Sequence, residues 1–242
     1  MKKLYEKNEL LFAILWIIAY CVITIPIRGN YGDESPLMTA ALMLFAVGII
    51  VFVKVCHLEK KYGLCKWQGK ASDYWFFIPM IILMTGNLWG GFGAAYNGMP
   101  QVFAVISMLL IGFVEEMIFR GFLFRILLKK DPAPVAVTIS AVTFGIGHIV
   151  NLFAGQANIE TVVQVFFAIA WGFIFSFVFY KSGSLVICII VHGLVDAFSK
   201  FAAYNESMTP AYIYMGATIV MAIIYCAYLS RKPPRLKGKA VD

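Results

Sequence analysis

Phe113-Val114-Glu115-Glu116-Met117-Ile118-Phe119-Arg120-Gly121 sets two adjacent carboxylates and a guanidinium inside a run that otherwise reads as membrane helix. A charged side chain at the bilayer centre costs at least about 2.5–3.5 kcal/mol on insertion scales. Three in one helix mark a place that uses them.

The surrounding chain fits a membrane setting. Of its 242 residues, 61% are hydrophobic and 14% charged, against about 45–50% apolar residues in soluble domains. The expected fold is all-α: one polytopic membrane domain over residues 1–242, its helices set around a polar intramembrane cavity. About 20 apolar residues span a bilayer. That rule predicts about eight spans, at roughly 10–28, 37–56, 74–94, 101–128, 133–149, 160–180, 184–200 and 211–229. The run from Leu10 to Ile27 is long for a signal peptide and no small-x-small cleavage site follows, so it reads as a retained first span. The fifth and seventh spans are short, and Asn151–Glu160 is predicted to dip inward beside them.

Charge gives the orientation. Lys2, Lys3 and Lys7, then Lys60, Lys61, Lys66 and Lys70, then Lys129 and Lys130, then Lys181, then Arg231, Lys232, Arg235, Lys237 and Lys239 fall in alternate connections. The connections between them carry Asp33, Glu34, Glu160 and Glu206 instead. The positive-inside rule then puts both termini in the cytoplasm, in a cell membrane of the bacterial inner-membrane type. The net charge of +7 therefore argues for orientation in a lipid bilayer and against a nucleic-acid partner. The five cysteines form no CxxC pair, and Cys56-His57 with Cys65 lacks a fourth zinc ligand.

The ionisable residues within the apolar runs are Glu115, Glu116 and Arg120 in span four, His148 in span five, and His192 and Asp196 in span seven. Glu116 and Arg120 are four apart, so they share a helix face and are expected to form a structural ion pair. Glu115 is turned by about 100° from Glu116, which leaves it as the reactive carboxylate. Phe144 stands four residues before His148 and is expected to pack beside its ring. Asp196 stands four after His192 and can fix the tautomer that faces the site. A carboxylate with two histidines can activate water for attack on an amide, Glu115 and His148 acting as base. His192 would then stabilise the oxyanion or bind a metal. Ser107, Ser140 and Thr143 lie nearby, but there is no G-x-S-x-G elbow and no H-E-x-x-H. On straight helices His148 sits too far toward the outer face to meet Glu115, so tilt or a deeper start of span five must bring it down.

Glu115-Glu116-x-x-x-Arg120, Phe144-x-x-x-His148 and His192-x-x-x-Asp196, in that order, resemble the three motifs of the CPBP family. These are the CAAX-processing and bacteriocin-processing (Abi) intramembrane proteases, related to the Rce-type prenyl-protein endopeptidases. Phe119-Arg120-Gly121 and Ser182-Gly183-Ser184-Leu185 also look like the family's, and the resemblance covers roughly residues 101–200. It implies an eight-helix endopeptidase with a cavity open to one membrane face, acting on a peptide or membrane-protein substrate. Glu115 and His148 would activate water, while His192 and Asp196 would support the oxyanion. The resemblance leaves two mechanisms open: a divalent metal such as zinc on Glu115, His148 and His192, or a glutamate-activated water with no cofactor. Many relatives have Asn where this chain has Asp196. An ionised Asp only accepts hydrogen bonds, so Asp196 is either protonated, or orients His192 from behind, or helps bind a cation; orientation of His192 is the favoured reading. A bacteriocin leader, a peptide pheromone and a self-immunity role follow from the family alone. A proton-coupled transporter and a non-catalytic protease-like scaffold are the alternative readings of the same buried charges. The sequence sets no oligomeric state.

Overall fold

The computed structural model describes residues 1–66, 70–204 and 207–236. Glu206, Lys237 and Lys239, counted above for orientation, lie outside the described residues. Among those described there is no strand, only an isolated bridge between Phe92 and Ala202.

Helix α1 runs Glu9–Tyr31, its first turn capped by the Asn8 side chain, which accepts from the Leu11 amide at 3.0 Å. Helix α2 (Pro36–Val55) opens on Ser35 as cap with Pro36 in the first turn. Helix α4 spans Met99–Lys130 without a break; α5 covers Ala133–Gly147 and continues as 3₁₀ turns through His148–Ala154. Helix α6 (Asn158–Ser182) closes on Gly183 at φ 71°, a left-handed cap that glycine adopts without strain. Helix α8 is Thr209–Ser230. These six are long and apolar enough to cross a membrane. Leu11, Leu15, Ile18 and Val22 on α1 and Val220, Ile223 and Ile224 on α8 point outward, as lipid-facing surface does.

The other two expected spans are shorter. Residues 74–94 do not form one helix. They give α3 (Phe77–Leu83), a 3₁₀ turn at Gly86–Leu88, and an extended piece whose Gly93 and Ala95 amides bond the Phe201 and Lys200 carbonyls. Gly90, Gly91 and Gly93 weaken helix there, and Gly91 sits at φ 119°. Helix α7 is Val186–Ser199, 14 residues or about 21 Å. Six long helices and two short apolar segments thus stand where eight spans were expected; the seventh is short, as expected, and the third is broken. The fifth span corrects the other way: it reaches 22 residues because Asn151 continues the 3₁₀ turn and does not end it.

Close approach positions the site. A Cβ on Gly112 of α4 would lie 2.4 Å from the Gly193 amide nitrogen and 2.5 Å from its Cα on α7. Backbone cannot yield as a side-chain tip can, and small residues at such crossings let membrane helices pack this closely. Gly112→Ala is therefore expected to push α7 off α4. It should lower stability by about 1–3 kcal/mol or more and lower the thermal midpoint in detergent. An unchanged midpoint would show that the crossing is looser than the backbone distances require.

Candidate active site

Glu115 and Glu116 end the α-helical part of α4, and Met117–Phe124 follow as π-helix. Such stretches, with hydrogen bonds to the fifth residue, are rare and recur at functional sites. Glu116 and Arg120 are fully buried and bonded at 2.8 Å. The same Glu116 Oε1 also lies 2.9 Å from His192 Nδ1. On the other side of that ring, Nε2 is 3.7 Å from Glu115 Oε2 and 3.4 Å from Asp196 Oδ2. Glu115 Oε1 accepts from the Tyr20 hydroxyl of α1 at 2.7 Å.

Phe144 is the packing centre. Its ring lies 5.0 Å from His148 and 5.6 Å from His192, both edge-on, and the Arg120 guanidinium sits over it at 4.1 Å. That cation–π contact favours the charge where its other donors are short of partners: Arg120 Nε and Nη2 have none. His148 Nδ1 lies 3.0 Å from the Phe144 carbonyl oxygen. A carbonyl only accepts, so Nδ1 carries the proton and Nε2 is the nitrogen left for the site.

Glu115, His148 and Asp196 line one cavity of about 1110 Å³. His192 lines a smaller recess that shares Phe144, His148 and Asp196 with it. His148 reaches this level from the end of α5, where the helix passes into 3₁₀ turns. The expected inward segment contributes Asn151, which is buried and accepts from Arg28 at 3.1 Å.

Glu116 keeps its pair with Arg120 and adds a second contact. Asp196 was expected behind His192, but Glu116 occupies that position through Nδ1, and Asp196 shares the Nε2 side with Glu115. Glu116 therefore holds both Arg120 and His192. The nearby hydroxyls are engaged elsewhere: Ser140 donates to the Phe119 carbonyl and Ser107 pairs with Thr39. Among the described residues, no group of three or more His, Cys, Asp and Glu side chains is placed to hold a metal ion. The expected zinc set of Glu115, His148 and His192 is not among such groups.

Tyr20 and Arg28 escaped the sequence reading, although a signal was present. Tyr20, Thr24 and Arg28 recur every four residues, so they share a face of α1, and all three line the cavity.

Residues 97–198 match the family model described as type II CAAX prenyl endopeptidase Rce1-like. This segment belongs to the CPBP family. The match runs from the start of α4 into α7 and contains Glu115, Glu116, Arg120, Phe144, His148, His192 and Asp196. With six long apolar helices, the chain is a multi-pass membrane protein whose core is of a membrane-protease family. Tyr20 and Arg28 lie outside the matched segment, so the CPBP core takes part of its cavity wall from α1. No curated protein matches the chain.

Proposed function

We propose that this chain is an intramembrane endopeptidase in which Glu115 and His148 activate a water for attack on a peptide bond. One observation carries the reading: Glu115 and His148 line the same large cavity inside a membrane bundle. A volume of about 1110 Å³ has room for a peptide segment and water. The Lys and Arg bias supports a cell-membrane location with both termini cytoplasmic.

In the proposed reaction His148 Nε2 accepts from the water and orients it, while Glu115 takes the other proton. The hydroxide oxygen bonds to the carbonyl carbon and gives a tetrahedral oxyanion. Collapse breaks the C–N bond, and Glu115 returns its proton to the leaving nitrogen. The products are a carboxylic acid and an amine. His192 spends its Nδ1–H on Glu116, because a carboxylate only accepts. Its Nε2 faces two carboxylates, and lone pairs do not face each other without a proton between them. In this scheme Nε2 also carries a proton, directed at the nearer Asp196 at 3.4 Å, which leaves Glu115 free to act as base and puts an N–H beside where the oxyanion forms.

Tyr20 is a positioning residue in this scheme. Tyr20→Phe removes one hydrogen bond to a charged group, worth about 1.5–3 kcal/mol, or about 10- to 100-fold in rate. Purified protein in liposomes, given membrane-anchored peptides and read by mass spectrometry, should show kcat falling by that factor with KM held. An unchanged kcat would remove Tyr20 from the site.

A further inference from the structure

Contacts between connections sort them into the two ends of the bundle. At one end Arg28 Nε bonds Asp33 at 2.7 Å, Lys200 Nζ bonds the other Asp33 oxygen at 3.0 Å, and Arg28 reaches Asn151. Gly93 and Ala95 meet Phe201 and Lys200 at this end too. At the other end Leu185 bonds Gly63, Ser184 bonds Cys65, Lys181 bonds Lys232, and Arg235 pairs with Asp73.

The cavity belongs to the first end. Its lining on α1 runs from Ile17 to Arg28, on the α5 helix with its 3₁₀ extension from Val142 to Asn151, and on α6 from Glu160 to Phe167. Helix α7 contributes Val195, Asp196 and Ser199, with Lys200 just beyond, and α8 contributes Ala211, Tyr214 and Met215. Most of each set lies toward the Asp33 end of its helix, and α4 lines the cavity as far as mid-helix, from Met108 to Phe119. The depth can be read along two helices. Tyr20, which touches Glu115, precedes Arg28 by eight residues, and His192 precedes Lys200 by eight. Each interval is about 12 Å, which about four extended residues cover.

The charge at the two ends differs. The cavity end carries Arg28 and Lys200, both bound to Asp33, with the acidic Glu160 at the rim. Burial raises the Asp33 carboxyl, but Arg28 and Lys200 outweigh that and hold it below its ordinary value, so Asp33 stays ionised between them and, with Glu160, offsets both cations. The opposite end carries Lys60, Lys61, Lys66, Lys70, Lys129 and Lys130; Glu9 binds Lys61 and Lys129, and Asp73 binds Arg235, but cations outnumber carboxylates there. Basic loops stay cytoplasmic.

We propose that the cavity opens to the extracytoplasmic side and admits its substrate from there. The substrate class is then an exported or membrane-anchored peptide that threads about four extended residues past the Arg28–Asp33–Lys200 rim to reach Glu115. A cytosolic lipidated C terminus would approach the closed, lysine-rich end. This rests on the endopeptidase reading for the word substrate, but the side of opening stands or falls alone.

Thiol labelling of intact expressing cells tests it. In one variant Cys21, which lines the cavity, is the sole cysteine. In two others a cysteine-free chain carries Ser199→Cys at the rim or Lys130→Cys at the far end. With a small membrane-impermeant thiol reagent, Cys21 and the Ser199→Cys site should label in intact cells, and the Lys130→Cys site only after permeabilisation. Labelling of the Lys130→Cys site in intact cells, with the Ser199→Cys site protected until permeabilisation, would overturn the proposal. Either result is read without any cleavage assay, so it is distinct from failure of the peptidase reading.

Discussion

Glu115→Gln is expected to lower kcat for peptide cleavage by about 10²- to 10⁴-fold, the usual contribution of a positioned general base, while the protein folds as wild type. The amide has nearly the shape of the carboxylate, and its oxygen can still accept from the Tyr20 hydroxyl, now 2.7 Å from Glu115 Oε1. Arg120 is bound to Glu116, so the exchange strands no buried cation. What is lost is the ability to take a proton from water. Turnover in liposomes, set beside a thermal melt of the same preparation, separates the two effects. A large fall in both would mean that Glu115 serves the fold.

Glu116→Ala is expected to fail differently. Glu116 and Arg120 are both completely buried, and removing one partner of such a pair costs about 3–5 kcal/mol because the other charge is left uncompensated. The thermal midpoint should fall sharply and activity with it. A double variant, Glu116→Leu with Arg120→Met, tells the two consequences apart. Replacing a whole buried pair by apolar groups is often neutral or stabilising, so the midpoint should recover. Activity should not, because His192 Nδ1 still lacks the acceptor now 2.9 Å away. Recovery of cleavage in the double variant would reduce Glu116 to a helix-holding residue.

The sequence made the helices legible where apolar runs were long. The expected spans at 10–28, 37–56, 101–128, 160–180 and 211–229 fall within three residues of α1, α2, α4, α6 and α8. Residues 74–94 misled because hydropathy counts apolar residues and is blind to the backbone freedom of Gly86, Gly90, Gly91 and Gly93. Within the site, relations inside one helix were readable: Glu116 with Arg120, Phe144 with His148, His192 with Asp196. Relations between helices were not. Tyr20 and Glu115 are 95 residues apart, and Glu116 and His192 are 76 apart, so no spacing rule joins them. This is why Glu116 looked like a partner of Arg120 alone and Asp196 took its place behind His192. The π-helical stretch after Glu116 left no mark that composition or periodicity could carry.

Hydrolysis in ¹⁸O-water by the purified protein in liposomes, with hydroxylamine present, addresses the chemistry most directly. Wild-type protein should release fragments whose new C-terminal carboxylate carries one ¹⁸O atom, with no hydroxamate, and Glu115→Gln should release none above background. A hydroxamate at the cleavage site, or undiminished cleavage by Glu115→Gln, would contradict direct attack by a Glu115-activated water.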